Sequence, residues 1–227
     1  ATGRDVDGGY AEYVVVPEDY AYAIPDVFTD AEAAPLFCAG GVGYRALRLA
    51  RLRDGERLGL TGFGGSGHIV LQLARQLYPA STIYVFARSP EERAFARELG
   101  ADWAGDTSDC PPAAPHVIID TTPAWKPVLA ALAVLNPGGR LIINAIRKEA
   151  GDAALLADID YATHLWMEKQ IQSVANVTAE DIREFLAVAA AIPLRPEVTV
   201  LPLEQANTAL QALKMRDVRG SYVLKVS

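Results

Sequence analysis

The sequence predicts an α/β protein built around a doubly wound, parallel β-sheet. Short apolar segments alternate with amphipathic, helix-like segments from about residue 56 to residue 177. The apolar segments are nearly continuous runs, which is typical of strands that helices cover on both faces. The chain has 227 residues, of which 51% are hydrophobic, so it can bury a sizeable core.

The N-terminal part does not follow this alternation. The stretch GGYAEYVVV, from Gly8, alternates and then becomes β-branched, which predicts a strand that ends at Pro17. Thr29 and Glu32 have the spacing of a capping box, so we expect a helix to begin at Thr29 and to continue into the apolar run that carries Cys38. Three glycines are expected to interrupt this run before helical periodicity resumes: Gly40, Gly41 and Gly43.

From residue 56 onwards, strands and helices are predicted in turn. The predicted strands are RLGLTGF, STIYVFA, HVIIDTT, RLIINAI, IQSVANV and the closing SYVLKV. The predicted helices are one opened by the glycine-rich stretch GFGGSG, then SPEERAFARELG, AWKPVLAALAVLN, a segment near DYATHLWMEK, a segment from Thr178, and LEQANTALQALKM. Local rules agree for SPEERAFARELG, where Ser89 is a suitable N-cap, Pro90 suits the first helical position and Gly100 follows the last turn.

The stretch GFGGSG directly follows the first of these strands. Its Gly62, Gly64 and Gly67 form the pattern G-x-G-x-x-G, with Gly65 inside it. In this context the first glycine permits a tight turn, the second lets a pyrophosphate approach the backbone, and the third lets helix and strand pack closely. The helix N-terminus adds free N–H groups for an anion. We therefore predict a Rossmann-type dinucleotide site, the alternative being a glycine-rich turn that merely joins a strand to a helix.

The end of the second strand of this unit bears on the type of cofactor. A cofactor without a 2′-phosphate is usually held there by an acidic residue, about 20 positions after the glycines. Here the sequence has Arg88 and Ser89 and no carboxylate. Because an arginine can pair with a phosphate through its planar fork, the sequence favours NADP over NAD. In the alternative interpretation Ser89 serves only as a helix cap, and Arg88 stacks on adenine or faces solvent.

Charge and cysteine content exclude several classes of partner. The formal net charge is −7 and no basic run is present, so we expect no nucleic-acid partner. No apolar stretch approaches the roughly 20 residues of a membrane span, so no membrane association is expected either. The two cysteines, Cys38 and Cys110, have no paired spacing, which favours a reducing compartment and a cytoplasmic protein.

Several stretches together resemble the medium-chain dehydrogenases, and among them the zinc-dependent alcohol dehydrogenases. They are DGGYAEYVVVPED, AAPLFCAGGVGYRAL, GFGGSGHIVLQLAR, ARELGAD, LNPGGRLI and RGSYVLKV, in the order of the family. The resemblance implies three parts: residues 1–37 as the end of a GroES-like, β-rich catalytic domain, residues 38–177 as the Rossmann domain, and residues 178–227 as a return to the catalytic domain.

The resemblance also implies site residues. Cys38 falls on the cysteine that is a ligand of the catalytic zinc, and the family's other ligands, a Cys and a His, would belong to a domain that precedes this chain. Accordingly we expect the chain as given to lack zinc and to be inactive. Asn144 and Asn176 fall at the ends of strands that lie along the nicotinamide in relatives. The strand IQSVANV corresponds to the edge through which the family's subunits pair, which implies a homodimer or a homotetramer.

The sequence departs from the family pattern at two positions. Val42 stands where a threonine is common beside the nicotinamide, and Ser221 stands where an arginine often contacts the pyrophosphate, with Arg219 as a doubtful substitute. No histidine has a ligand spacing with Cys38, so we interpret all three as structural or surface residues: His68, His116 and His164.

Three functions are therefore considered. The first is a zinc-dependent alcohol dehydrogenase, in which a hydride passes between a small alcohol or aldehyde and NADP or NAD. The second is a zinc-free medium-chain reductase of the quinone-reductase type. The third is a cofactor-binding module without catalysis. For Cys38, the alternative to a metal ligand is a small buried side chain.

Overall fold

The fold was taken from a computed structural model of the chain, which describes residue 3, residues 5–215 and residues 218–226. The helices of these residues are α1 (Asp30–Ala33), α2 (Ala39–Ala50), α3 (Gly65–Leu77), α4 (Pro90–Glu98), α5 (Lys126–Val134), α6 (Tyr161–His164), α7 (Ala179–Ala191) and α8 (Ala206–Met215). The strands are β1 (Arg57–Thr61), β2 (Thr82–Phe86), β3 (Trp103–Gly105), β4 (Val117–Asp120), β5 (Arg140–Ile143), β6 (Gln170–Ser173), β7 (Val198–Pro202) and β8 (Ser221–Lys225).

Six of these strands form one parallel sheet in the order β3-β2-β1-β4-β5-β6. The order reverses between β1 and β4, and such a reversal opens a crevice at the carboxyl ends of the two strands. The predicted doubly wound, Rossmann-type sheet is therefore confirmed. β7 and β8 form a separate parallel pair, and β7 is a strand that the sequence analysis did not predict.

Helices cover both faces of the main sheet. The larger core lies on one face and includes apolar side chains of α2, α3, α4 and α7, whereas a smaller core on the other face is filled mainly by α5. The side chains of β4 are buried along its whole length, as expected for a central parallel strand. None of the helices in the described part of the chain has the length and apolar character needed to cross a bilayer.

The predicted strand between Gly8 and Pro17 is wrong. This segment contains no strand, and Tyr13 and Val15 are 89% and 94% exposed. β-branched composition alone does not make a strand, because the backbone groups also need a partner strand. Among the described residues no strand pairs with this segment.

The predicted interruption by glycines is also wrong, because α2 runs without a break through all three of them. They are buried at helix contacts: a Cβ built on Gly40 would lie 2.6 Å from the ring of Phe185 in α7, and one on Gly43 would lie 2.7 Å from Val70 in α3. Close packing thus overrides the low helix propensity of glycine. The preceding helix is shorter than predicted, since a 3-10 turn containing Pro35 follows α1.

Other predicted boundaries agree with the structure. Thr29 caps α1 in a capping box with Glu32, Ser89 caps α4, and Gly100 follows α4 with a φ of +96°. The strand predicted in IQSVANV is shorter than expected: it is β6, and it ends at Ser173. The division of the chain into 1–37, 38–177 and 178–227 stays a prediction.

Candidate functional site

The glycine turn between β1 and α3 lies at the carboxyl edge of the sheet, where the strand order reverses. Gly62 donates its N–H to the Phe86 carbonyl at 2.8 Å, which ties the turn to the end of β2. On the other side, the Thr121 hydroxyl donates to the Thr61 carbonyl at 3.0 Å, which ties the turn to the residue after β4. The turn therefore spans the crevice between the two halves of the sheet.

The three glycines of the motif have different surroundings. Gly62 has a φ of +80°, and a Cβ on it would lie 2.8 Å from the Thr121 hydroxyl. A Cβ on Gly67 would lie 2.8 Å from the Gly62 carbonyl, so this glycine lets α3 pack against the turn. By contrast, a Cβ on Gly64 would meet nothing within 4 Å. Packing therefore accounts for the first and third glycines, whereas it leaves the middle one unexplained.

Gly65, the first residue of α3, faces the C-terminal part of the chain. A Cβ on it would lie 3.2 Å from the Ser221 hydroxyl and 3.7 Å from the Gly220 carbonyl. Arg219 forms ion pairs with Glu98 at 2.6 Å and with Glu197 at 3.4 Å, and it lines the same pocket as Phe63 of the turn. A pyrophosphate contact by Arg219 stays a prediction.

Arg88 and Ser89 lie beyond the end of β2, as predicted. Arg88 is exposed, and within the described chain its side chain forms no hydrogen bond or ion pair. Ser89 accepts hydrogen bonds from the N–H groups of Glu91 and Glu92, and its hydroxyl donates to the Glu91 carboxylate at 2.5 Å. Burial raises the pKa of Glu92. The region thus holds the exposed Arg88 guanidinium next to two carboxyl groups, and its charge lowers the pKa of Glu92 against the larger effect of burial.

Asn144 directly follows β5. Its N–H donates to the Asp120 carbonyl at 2.7 Å, but its side-chain Nδ2 is buried without a hydrogen-bond partner, and the residue is only 8% exposed. A buried donor without a partner is costly, so packing alone does not explain the side chain of Asn144. Asn176 differs: it is exposed, lies three residues beyond the end of β6 and has a φ of +59°.

Cys38 is exposed at the N-cap position of α2. Among the described residues there is no group of three or more His, Cys, Asp or Glu side chains that could hold a metal ion. Zinc has three or four protein ligands in its usual sites. The described residues therefore do not form a zinc site, and they offer Cys38 as one ligand at most. Val42 packs against the hydrophobic core, as expected for an apolar side chain.

The three histidines have structural roles or lie at the surface. His68 is buried beneath the glycine turn, and His116 accepts a hydrogen bond from the Arg57 N–H at 3.0 Å through Nδ1. The Nδ1 of His164 lies 3.0 Å from both the backbone nitrogen and the carbonyl oxygen of Asp160.

Sequence reasoning missed a buried ion pair at the same edge of the sheet. Asp120, the last residue of β4, is fully buried and paired with Lys148. The Lys148 ammonium also donates to the carbonyls of Thr122 and Ala124, at 2.8 and 3.0 Å. A polar residue at the end of a buried strand is a visible signal for Asp120, but nothing in the local sequence points to Lys148.

These features are those of a Rossmann-type protein with a glycine-rich turn at the point where the strand order reverses. Residues 65–191 match the zinc-binding dehydrogenase family, so the chain belongs to that family, which confirms the resemblance. The chain is 40% identical over 225 residues to the probable alcohol dehydrogenase AdhA of Mycobacterium tuberculosis, which covers 99% of this chain and 63% of that protein. It therefore spans just under two thirds of the length of this relative.

Solved structures agree on the fold. The alcohol dehydrogenase of the archaeon Aeropyrum pernix superposes with a TM-score of 0.86 at 25% identity, over 99% of this chain and 67% of that one. YhdH of Escherichia coli, solved with bound NADPH, superposes with a TM-score of 0.81 at 19% identity, over 100% of this chain and 73% of that one. At that identity the second likeness concerns the fold alone.

Proposed function

We propose that the chain is the cofactor-binding part of an alcohol dehydrogenase that uses NADP, with NAD as the alternative. The observation that carries the proposal is the open space at Gly64, in a glycine turn at the point where the strand order reverses. When bound, the cofactor supplies a nicotinamide ring that accepts or gives a hydride. The substrate that fits this family is a small alcohol or aldehyde.

The described residues fit a dinucleotide on two grounds. Gly64 leaves room for a pyrophosphate beside the backbone, and the unpaired Nδ2 of Asn144 is a donor for an oxygen of the nicotinamide end. Gly62, Gly65 and Gly67 would shape the turn, and Arg88 and Ser89 would face the adenosine ribose. For Asn176, which is exposed, only a weaker contact is proposed. Together these residues bind and orient the cofactor.

Arg88 provides the test of cofactor choice. A charge-assisted hydrogen bond contributes about 1.5–3 kcal/mol, so we expect Arg88→Ala to weaken NADPH binding roughly 10- to 150-fold while NADH binding changes little. Isothermal titration calorimetry with both cofactors measures this difference. Arg53→Ala is the matched control, because Arg53 is also exposed but precedes β1 at the opposite edge of the sheet. Equal losses for NADPH and NADH would show that Arg88 does not recognise the phosphate. Because Glu91 would repel a phosphate, NAD remains the alternative.

The zinc dependence of the reaction is tested separately. The chain of 227 residues is expected to bind no stoichiometric zinc and to oxidise no alcohol, since Cys38 alone cannot hold the ion. A longer form that includes the Cys and His ligands implied by the family is expected to bind zinc and to lose it on Cys38→Ala. Cys110→Ala, which removes the other exposed cysteine, is the control. Elemental analysis measures the zinc content of both forms, and alcohol oxidation assays measure their activity.

Two results of that experiment would change the proposal. About one zinc per chain in the 227-residue form would refute the account of the ligands. A zinc-free longer form would favour the quinone-reductase type, and a longer form that binds cofactor without any turnover would favour a cofactor-binding module.

We further propose a homodimer, or a tetramer of such dimers, formed by pairing of β6 with a second copy. β6 is one of the two outer strands of the main sheet and is exposed at all four residues. Gln170 and Val174 donate their N–H groups toward β5, so the N–H of Ile171 points outward. Ile171→Pro is therefore expected to remove an outward donor, spare the bonds to β5 and yield monomers in light scattering. A wild-type monomer at high concentration would contradict the proposal.

The compartment proposed is the cytoplasm. Cys38 and Cys110 are both free and exposed, and exposed free thiols are better suited to a reducing environment. Cell fractionation tests this, and recovery in an oxidising compartment would oppose it.

A further inference from the structure

His68 connects the glycine turn to the C-terminal part of the chain. It lies in the first turn of α3 and is fully buried. Its Nδ1 lies 3.0 Å from the Gly64 carbonyl oxygen, and its Nε2 lies 3.1 Å from the backbone nitrogen of Glu197. Both ring nitrogens are therefore engaged, one with the candidate cofactor loop and one with the residue that directly precedes β7.

These two partners determine the tautomer of His68. The Glu197 N–H can only donate, so Nε2 must accept and carry no proton. The Gly64 carbonyl can only accept, so Nδ1 must carry the proton and donate it. The neutral ring is also the form that the surroundings favour, because burial lowers the pKa of His68, against smaller opposing effects of the bond to the Gly64 carbonyl and of the Glu197 charge.

The bond from Nδ1 fixes the orientation of one peptide plane. The Gly64 carbonyl also accepts from the His68 N–H at 3.3 Å, so its oxygen is held against the first turn of α3 by two donors. In a trans peptide the N–H points opposite to the C=O, and the chain has no cis peptide among the described residues. The N–H of Gly65 therefore points away from the helix, toward the open space beside Gly64. As a first-turn N–H, it has no partner within the helix.

We propose that His68 is a positioning residue, which holds the Gly64–Gly65 peptide so that the Gly65 N–H donates to the diphosphate of a dinucleotide. The inference rests on the proposed function and deepens it, because it assigns the orientation of the loop to a side chain that does not touch the ligand. Without the side-chain bond, the Gly64 carbonyl keeps the longer bond from the His68 N–H at 3.3 Å, so the peptide is held less firmly in the orientation that presents its N–H to the diphosphate.

Two substitutions separate positioning from a purely structural role. In His68→Asn, the side-chain amide nitrogen occupies the place of Nδ1 and keeps the bond to Gly64, whereas the bond to Glu197 is lost. In His68→Gln, the amide oxygen reaches the place of Nε2 and keeps the bond to Glu197, whereas the bond to Gly64 is lost. Asparagine is the smaller side chain and leaves more empty volume in the core, so His68→Asn is expected to be the less stable variant.

The measurements are NADPH affinity by calorimetry and melting temperature for the full chain. We expect His68→Gln to bind NADPH about tenfold or more weakly than the wild-type chain, and His68→Asn to bind within about threefold of it. Affinity and stability would then follow opposite orders. Gln72→Ala is the control: Gln72 lies one turn further along α3, donates to the His68 carbonyl at 3.3 Å and bonds to the backbone of Arg195 at 2.9 and 3.0 Å, and so tests whether loss of a neighbouring bond in α3 is enough to weaken binding.

The possible results are distinct. If His68→Asn has the lower melting temperature and also binds NADPH more weakly than His68→Gln, affinity simply follows stability. That result would overturn the inference and leave the proposed function intact. The same conclusion follows if Gln72→Ala loses as much affinity as His68→Gln. A wild-type chain that binds neither NADPH nor NADH would overturn the proposed function together with this inference.

Discussion

Gly64→Val is expected to abolish cofactor binding while the fold is retained. Gly64 has a negative φ of −96°, and a Cβ there meets no other atom within 4 Å, so the side chain can be accommodated without a clash. The same side chain would occupy the space that the proposed pyrophosphate needs. We expect NADPH affinity to fall at least 100-fold, which corresponds to about 2.8 kcal/mol. Calorimetry measures the affinity, and circular dichroism measures the fold.

Two further glycine variants serve as controls. Gly9→Val also places a side chain in open space, but far from the loop in sequence, and is expected to leave affinity unchanged. Gly62→Val should instead destabilise the chain, because Gly62 has a positive φ and lies against Thr121. Unchanged NADPH affinity in Gly64→Val would reject the assignment of the loop.

The second large effect is expected at the buried ion pair. Lys148→Met leaves the Asp120 carboxylate buried without its cation, and also leaves the carbonyls of Thr122 and Ala124 without their donor. Burial already raises the pKa of Asp120, and Lys148, with hydrogen bonds from Thr122, opposes that effect. Removal of one partner of a buried pair typically costs about 3–5 kcal/mol. Urea unfolding of the variant should show a loss of this size in the free energy of unfolding.

A double variant shows whether the cost is electrostatic. In Asp120→Leu with Lys148→Met, no charge remains buried, so we expect much of the lost stability to return. Arg219→Met is the control for a surface pair, since Arg219 and Glu98 are each about half exposed, and its effect should be small. If the double variant is no more stable than Lys148→Met, the loss comes from the backbone contacts of the lysine and not from the unpaired carboxylate.

The parts of the fold that depend on neighbouring residues were predictable from the sequence. The caps of α1 and α4 and the turn at Gly62 each follow from a few adjacent residues, and the structure contains all of them. Elements that depend on distant contacts were not predictable. The segment after Gly8 has the composition of a strand but lacks a partner, and α2 passes through glycines because α3 and α7 pack against them.

Among the residues of the candidate site, too, those that belong to a local pattern were predictable and those that depend on distant partners were not. The glycine motif and Arg88 were visible as patterns, and Asn144 could be placed at a strand end. The roles of His68 and Lys148 were not visible, because their partners are far along the chain: Glu197 lies 129 positions after His68, and Asp120 lies 28 positions before Lys148. Contacts across such separations arise from topology rather than from local pattern.

The pairing of β1 with β4 has a consequence for how the chain folds. β1 and β2 are joined by a single helix, whereas the residues that meet across β1 and β4 lie about 60 positions apart. Closing the longer loop costs more chain entropy and delays assembly, so the pairing of β1 with β4 is expected to form later than the pairing of β1 with β2. The glycine turn and Thr121 lie where β1 and β4 meet. A dinucleotide bound there would bridge the two halves of the sheet, and since it binds only the folded chain, it would also protect the protein against unfolding and proteolysis.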